Sequence, residues 1–252
     1  MGGSTCLPPP STGKCGCDRA LRTFERRERT SSRSSTSVRN WVETVRRCTA
    51  EWVVDVPDHT LFPRFLSFDE TRAAWGEIET TTPWREDTIT LFGRTHPVPR
   101  LTALYGDPGA HYSYSRLRLD PLPWTPVLAE WRDRVSEASS ASYNSVLLNF
   151  YRDGRDSNGW HADDEAELGP EPVIASLSLG VTRTMAFRRR DETTMRWKVS
   201  LADGDLLVMW GNSQRDWLHS VPKSTRVRDP RINLTFRWID HSIAHQGGPR
   251  DR

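Results

Sequence analysis

The segment from residue 231 to residue 238 alternates strictly between polar and apolar side chains. Successive side chains of an extended chain point to opposite faces, so this period of two predicts a β-strand. Its apolar face carries Ile232, Leu234, Phe236 and Trp238, and its polar face carries Arg231, Asn233, Thr235 and Arg237.

Short apolar runs separated by turn residues predict most of the remaining structure. One helix is expected to begin after Ser67, where Ser67 and Glu70 form a capping box, and a second to begin at Thr125-Pro126. Many short strands with few helices are typical of a sandwich or barrel, so the predicted fold class is mainly β (α+β), without a visible internal repeat. The other strands are expected near Glu51–Val56 and at 145–151, 173–180, 183–190, 195–201, 205–210 and 217–221.

Charge divides the chain into regions. Residues 1–50 carry ten Lys/Arg against four Asp/Glu, a balance of +6, and the remainder carries a balance of −4. The basic segment is poor in apolar residues, so we expect a disordered tail at 1–50, a folded domain at 51–240 and a flexible tail at 241–252. The basic tail could contact a nucleic-acid backbone, since that interaction is independent of sequence, or it could be a solvated tail without a ligand.

The cysteines fall outside the expected folded domain. All four precede residue 51, and they lack the paired C-x-x-C spacing of a zinc site. A domain without disulfides fits a reducing compartment. No apolar run is long enough to span a membrane, and no apolar stretch follows the N-terminal arginines, so we expect an intracellular protein, cytoplasmic or nuclear, without a membrane partner. We expect it to be a monomer.

A candidate metal site lies in the second half of the chain. His161-Ala162-Asp163 is the only H-x-D among the seven histidines, and His219 follows 56 residues after Asp163. Two histidines and one carboxylate are the ligand set of non-haem Fe(II) oxygenases, which leaves three metal positions for a bidentate 2-oxo acid and dioxygen. H-x-D alone arises by chance in many proteins, so the motif needs support from its surroundings.

The polar face of the strand at 231–238 is a candidate receptor for a dicarboxylate. Guanidinium groups bind carboxylates bidentately, so Arg231, Asn233 and Arg237 could form such a site, with Asn149 and Tyr151 of the preceding strand projecting beside the metal ligands. The same face could equally be an ordinary solvent-facing polar stripe. The two arginines lie roughly 20 Å apart along an extended strand, so they could share one small ligand only if the strand curves.

A series of motifs surrounds these residues in one order: PRLT at 99–102, YGD at 105–107, YSYS at 112–115, LNFYRDG at 148–154, WHADDE at 160–165, IASLSLG at 174–180, GDLLVM at 204–209, WLHSVP at 217–222 and RINLTFR at 231–237. In this series the chain resembles the AlkB-type 2-oxoglutarate- and Fe(II)-dependent nucleic-acid dioxygenases, and most of all the branch that repairs alkylated bases directly. The resemblance implies a double-stranded β-helix, or jelly roll, with the two N-terminal helices packed outside. It implies His161, Asp163 and His219 as the iron ligands and catalytic residues.

The same resemblance implies how 2-oxoglutarate would be held. Arg231 and Tyr151 match the positions that bind its distal carboxylate. Arg237 and Asn149 match those that bind the carboxylate beside the keto group, with Asn233 in support.

On the substrate side, the resemblance implies a pocket lined by Tyr112, Tyr114 and Asp164, with Arg100 near its lip. Trp160 is expected only to pack beside the site. An enzyme that acts on a base must extrude it from the stack, and stacking on an aromatic side chain returns roughly 1–3 kcal/mol per base. Tyr112 and Tyr114 would serve this purpose, or they are ordinary strand tyrosines.

The activity implied by the resemblance is oxidative dealkylation of N-alkylated nucleobases such as N1-methyladenine and N3-methylcytosine. It would act on alkylated DNA, with RNA left open, and would use Fe(II), 2-oxoglutarate and O2 to release formaldehyde, succinate and CO2. Two other classes stay open: a 2-oxoglutarate oxygenase that hydroxylates a protein or a small molecule, and a non-catalytic nucleic-acid-binding module.

Three successive arginines, Arg188–Arg190, mark the end of an expected hairpin. They could contact phosphates beside the pocket. Alternatively, the acids that follow, Asp191 and Glu192, could neutralise them on an exposed turn.

Overall fold

The computed structural model of the protein describes residues 56–91, 94–114, 117–194, 196–240 and 242, without the side chains at 89–91, 94, 114 and 117. The strand expected near residues 51–56 lies outside this range except for Val56, which is not in a strand. The tails expected at 1–50 and 241–252 also lie outside it, apart from residue 242. The domain limits therefore stay predictions.

Two antiparallel sheets make up most of the described structure. The major sheet runs in the order β1 (His59–Phe62), β12 (Leu206–Met209), β9 (Ile174–Gly180), β14 (Arg231–Arg237), β7 (Ser145–Tyr151) and β4 (Leu101–Gly106). The minor sheet runs in the order β11 (Arg196–Leu201), β10 (Arg183–Arg189), β13 (Trp217–Val221) and β8 (Asn158–His161). Two small hairpins pair β2 (Thr88–Leu91) with β3 (Arg94–Pro97) and β5 (Tyr112–Tyr114) with β6 (Leu117–Leu119). The mainly β jelly roll expected from the sequence is confirmed.

Two helices, α1 (Phe68–Thr81) and α2 (Pro126–Ser139), begin where the sequence predicts. The Ser67 hydroxyl accepts the Glu70 N–H at 3.3 Å, and the Glu70 carboxylate accepts the Ser67 N–H at 2.7 Å, which completes the expected capping box. Thr125 caps α2 by accepting the Leu128 N–H at 3.3 Å. Among the described residues, no helix is both long enough and apolar enough to cross a membrane.

The alternation of β14 places its two faces in different surroundings. Its apolar residues Ile232, Leu234 and Phe236 pack in one cluster with side chains from both helices. Trp238, which was expected on the same face, lies beyond the end of the strand and is 52% exposed. A second cluster joins the two sheets and contains Leu147 of β7 and Phe187 of β10. Because Thr235 pairs with Leu147, the polar face of β14 is turned toward the minor sheet, and every residue of the strand is buried. The interpretation of this face as a solvent-facing stripe is therefore wrong.

The strands from β1 to β6, and β8, were not predicted. Most of them are three or four residues long, which is too short for a period of two to stand out from the flanking sequence. The strands that were predicted downstream of residue 143 are all present, and β7 and β13 have the expected bounds.

Candidate metal and cosubstrate site

The three side chains expected to bind iron lie together. The potential ligand atoms of His161, Asp163 and His219 are all within 4.8 Å of one another. His219 of β13 lies opposite His161 of β8, and their ring centroids are 4.2 Å apart. Asp163 and His219 are buried, with 2% and 4% of their surface exposed. Two imidazoles and one carboxylate so arranged can hold a single metal ion and leave part of its coordination sphere open.

A β-bulge in β8 turns two of its side chains into the same cavity. Asn158 pairs with Val221 and His161 with His219, so the register shifts by one residue between the two pairs. Residues three positions apart in a regular strand face opposite sides. Here the Asn158 Nδ2 lies 3.2 Å from the His161 Nε2, and both residues line the cavity. Bulges beside functional sites commonly re-aim side chains in this way.

Both histidines are in the protonation state that metal binding requires. Burial lowers the pKa of His219 to about 3, and the neighbouring His161 adds to the shift. Burial also lowers the pKa of His161. The Gly159 carbonyl lies 2.8 Å from the His161 Nδ1, so that nitrogen is assigned as the donor and the Nε2 keeps its lone pair.

Asp163 is held as an anion by Arg237. Its Oδ1 accepts a hydrogen bond from the Arg237 Nη2 at 2.9 Å, and its peptide N–H donates to the Gln214 Oε1 at 3.0 Å. Burial alone would raise the pKa of Asp163, but the Arg237 charge and the two histidines outweigh it and lower the pKa to about 2. The Oδ2 is buried without a hydrogen-bond partner. An unpartnered buried carboxylate oxygen beside two neutral imidazoles fits a metal ion, which would satisfy it.

Arg231 carries a buried positive charge that has no acidic partner among the described residues. Its Nη2 donates to the Ser178 hydroxyl at 3.0 Å, whereas its Nε and Nη1 have no partner. Its guanidinium lies 5.5 Å from the Tyr151 ring centroid, and Arg183 lies 5.4 Å from the same centroid. Burial lowers the pKa of Arg231 to about 10, so the group remains charged at neutral pH. A buried cation with free donors requires an anion, and a carboxylate matches a guanidinium bidentately.

A cavity of about 220 Å³ is lined by the three candidate metal ligands and by Arg237. Arg231 does not line the cavity itself but contacts Tyr151, which does. Arg100 donates from its Nε to the Asn149 Oδ1 at 2.7 Å, so it braces Asn149 in the cavity wall. Asn233 donates to the Ser176 hydroxyl at 2.8 Å and therefore links β14 to β9. Of the residues that the sequence suggested, the cavity is lined by Arg100, Tyr112, Asn149, Tyr151, His161, Asp163, His219, Asn233 and Arg237.

Of the three residues expected to line the substrate pocket, only Tyr112 lines the cavity in the described structure. Tyr112 is buried, lies 4.8 Å below the Arg237 guanidinium, and donates from its hydroxyl to the Glu165 Oε1 at 3.0 Å. Asp164 points away from the cavity, and its exposed carboxylate pairs with Arg190. The side chain of Tyr114 lies outside the described residues.

Glu165 was not identified from the sequence, although it lines the cavity. Burial, and then the charge of Asp163, raise the pKa of Glu165 to about 7. The sequence offers three successive acids, Asp163, Asp164 and Glu165. Because the chain leaves β8 at His161, no strand period indicates which of them faces inward.

The three arginines at the end of β10 have three different partners. Arg189 pairs with Asp191 at 2.8 Å, as the neutralising alternative predicts. Arg190 pairs with Asp164 and also donates to the Gln214 carbonyl at 3.0 Å, so it anchors the segment that carries Asp163. Arg188 lies 4.6 Å from the Trp160 ring centroid and has no carboxylate partner among the described residues.

Comparison with known proteins gives one family and one fold. Residues 58–237 match the family model described as the 2OG-Fe(II) oxygenase superfamily. The chain is 44% identical over 188 residues to the Mus musculus protein named alpha-ketoglutarate-dependent dioxygenase alkB homolog 3, covering 71% of this chain and 65% of that relative. It is 46% identical over 158 residues to the Mus musculus DNA oxidative demethylase ALKBH2, covering 60% of this chain and 66% of that relative. This chain thus spans less than two thirds of the length of these relatives. The solved structure described as "The structure of OsALKBH1" has the same fold, with a TM-score of 0.53 at 20% identity, covering 73% of this chain and 99% of that one.

Proposed function

This chain belongs to the 2OG-Fe(II) oxygenase superfamily, and we propose that it removes alkyl groups oxidatively from N-alkylated nucleobases in DNA, such as N1-methyladenine and N3-methylcytosine. The observation that carries the proposal is a complete set of two neutral histidines and an ionised aspartate in the wall of one cavity. The name of one mouse relative, DNA oxidative demethylase ALKBH2, supports a DNA substrate over a protein or a small molecule.

The protein would hold both reactants through groups that its own fold leaves unsatisfied. His161, Asp163 and His219 would bind Fe(II), and the free donors of Arg231, beside Tyr151, would bind the distal carboxylate of 2-oxoglutarate. Arg237 would hold the other carboxylate with Asn149, because only its Nη2 is used on Asp163 and its Nε is buried without a partner.

Bound Fe(II) would activate O2 for reaction with 2-oxoglutarate, which would be converted to succinate and CO2. One oxygen atom of O2 would enter succinate and the other a C–H bond of the N-alkyl group. A methyl group would then leave the base as formaldehyde. The residues around the metal site have positioning tasks. Arg237 fixes the Asp163 carboxylate, and the Gly159 carbonyl fixes the His161 ring. Tyr112 offers an aromatic wall for the extruded base, and burial keeps its phenol neutral by raising its pKa. A place in the cell interior, beside nucleic acid, fits this function.

The test is release of formaldehyde and succinate by the purified protein supplied with Fe(II), ascorbate and 2-oxoglutarate. Single-stranded DNA and RNA carrying one N1-methyladenine would be compared with the same strands without the methyl group. We expect formaldehyde only from the methylated strands, in amounts equal to the base repaired. Asp163→Ala should abolish release, whereas Asp133→Ala, on the exposed face of α2, should leave it unchanged.

Each result separates the open alternatives. Succinate without methyl-dependent formaldehyde would support an oxygenase acting on another class of substrate. Binding of the strands without any turnover would support a non-catalytic nucleic-acid-binding module. Retained turnover in Asp163→Ala would contradict the metal site.

A further inference from the structure

An exposed aromatic surface lies on β8, on the strand face away from the metal ligands. Trp160 is next to His161 in the chain, yet it is 37% exposed and does not line the cavity. Trp160 therefore presents an open aromatic surface one residue from a candidate metal ligand, and an aromatic ring of this kind can stack on a ligand.

Arg188 holds the Trp160 ring from one side. Its guanidinium lies 4.6 Å from the ring centroid, and it reaches Trp160 from β10 across β13. Unlike Arg189 and Arg190, Arg188 has no carboxylate partner among the described residues, and its Nε is buried without a hydrogen-bond partner. The stacked pair therefore combines an aromatic surface with a positive charge that forms no ion pair within the described part of the chain.

Gly159 joins this surface to the cavity. It lines the cavity and is exposed, and a Cβ added to it would meet no atom within 4 Å. Its φ is not positive, so neither crowding nor the backbone requires glycine at this position. A glycine inside a strand weakens the strand and often marks a site where a ligand approaches the backbone closely. Because Gly159 has no side chain, nothing at this position of β8 separates the cavity from Trp160.

We propose that the face formed by Gly159, Trp160 and Arg188 binds the nucleotide next to the target base in single-stranded nucleic acid. The neighbouring base stacks on the open side of Trp160, the backbone crosses the strand edge at Gly159, and Arg188 attracts the phosphate. Aromatic rings bind single strands in this manner without regard to sequence, since every base has a π-face. This inference rests on the proposed function, because it takes the target base to occupy the cavity.

The inference is tested by binding of the full chain to a fluorescent single-stranded oligonucleotide with one N1-methyladenine, measured by anisotropy. Each nucleotide beside the target is replaced in turn by an abasic residue. Trp160→Ala should weaken binding roughly 5- to 150-fold, as expected for the loss of one stacked base. Removing the flanking base at one position should weaken binding of the unsubstituted protein by the same factor, and the two changes together should weaken it no further.

Matched variants separate stacking from general damage. Trp160→Phe keeps an aromatic ring and should retain most of the affinity. Trp210→Ala is the control, since Trp210 is 44% exposed but lies at another hollow beside α2. Gly159→Val, which the fold has room for, should separate the cavity from Trp160 and weaken binding to the oligonucleotide.

The charge of Arg188 has its own readout. Arg188→Gln should reduce the slope of log affinity against log salt by about 0.7, the value for one phosphate contact on a single strand. Arg189→Gln should leave the slope unchanged, because Asp191 already pairs with Arg189.

The inference is overturned if Trp160→Ala binds the oligonucleotide as tightly as the unsubstituted protein does. It is also overturned if Trp160→Ala loses the same affinity whichever flanking nucleotide is made abasic. Formaldehyde release from the same oligonucleotide is measured alongside. If formaldehyde is released and the affinity of Trp160→Ala for the oligonucleotide is unchanged, this surface is rejected and the proposed function is retained. No release, with the coupling to a flanking base intact, rejects the proposed reaction and supports the surface.

Discussion

The two ends of strand β14 carry buried arginines that differ in whether an acidic group pairs with them. Arg237, at one end, forms a buried ion pair with Asp163 at 2.9 Å. Arg231, at the other end, is fully buried and has one hydrogen bond to a hydroxyl. Burial opposes the charge of both arginines, but Asp163 outweighs it at Arg237 and raises that pKa, whereas the pKa of Arg231 falls to about 10.

This difference indicates which groups the fold completes by itself and which it leaves for a ligand. The Arg237 end prepares a metal ligand, because Arg237 keeps Asp163 ionised in a buried position. The Arg231 end has donors without partners, which the distal carboxylate of 2-oxoglutarate is proposed to satisfy. Similar burial can thus serve positioning at one end of a strand and binding at the other.

The largest expected effect comes from removing the paired arginine. Arg237→Met should lower the free energy of unfolding of the metal-free protein by about 3–5 kcal/mol at pH 7, because it leaves Asp163 buried and unpaired. The folded-state pKa of Asp163, about 2, lies below its ordinary value of 3.8, so the pair stabilises the protein above that value and the contribution is lost as the pH falls toward 2. Urea denaturation at pH 7 measures the loss, and a change below about 1 kcal/mol would contradict a tight buried pair.

The pH dependence of Glu165 sharpens the description of the same end. Its pKa rises from 4.5 to about 7 in the folded protein, so the metal-free protein should lose stability as the pH rises from 4.5 to 7. At about 1.4 kcal/mol per pKa unit, the loss is at most about 3.5 kcal/mol. Glu165→Gln should remove this dependence and leave the variant the more stable protein above pH 7. The free energy of unfolding of both proteins is measured against pH. The same pH dependence in the two proteins would show that the pKa of Glu165 is not raised in the folded state.

Removing the unpaired arginine should have a different effect from removing the paired one. Arg231→Met should not lower the free energy of unfolding without ligand, because it removes a buried charge that has no acidic partner. The unsubstituted protein with Mn²⁺ should gain about 2.7 kcal/mol from 2-oxoglutarate at one hundred times its dissociation constant, and the variant should gain nothing.

Arg183→Met is the matched control for Arg231→Met. Arg183 is buried against the same Tyr151 ring but donates to the carbonyls of Asp153, Asp156 and Pro222. Its loss should lower stability without ligand and preserve the gain from 2-oxoglutarate. An equal ligand gain in Arg231→Met would place the cosubstrate elsewhere.

The smallest expected effect lies away from both ends of β14. Ser67→Ala removes the N-cap of α1 and should lower the free energy of unfolding by about 1 kcal/mol. The stabilisation by 2-oxoglutarate should be unchanged, since the cap touches none of the cavity residues. A variant that loses the ligand response as well would show that α1 is coupled to the site.

The sequence was sufficient wherever the chemistry is local or periodic. The caps of α1 and α2 depend on residues at most three positions apart, and the alternation of β14 fixes which of its side chains share a face. The order of motifs around His161 and His219 identified the family before any contact was known.

The sequence was insufficient wherever a contact joins distant segments. The partner of Arg237 lies 74 residues away in the chain, and the alternation of β14 does not show which of its two arginines pairs with an acid. The bulge that turns Asn158 and His161 to one side depends on the pairing of β8 with β13.

By itself, therefore, the sequence determined the mainly β fold class, the two helix starts, the faces of β7 and β14, and the residues able to bind a metal, because local hydrogen bonds and strand periodicity depend on near neighbours. Only the tertiary structure decided that Glu165 faces the cavity while Asp164 faces Arg190, that Arg188 stacks on Trp160, and that one of two similar arginines lacks an acid. These outcomes depend on which side chains meet across the two sheets, and the long-range packing of the strands determines that.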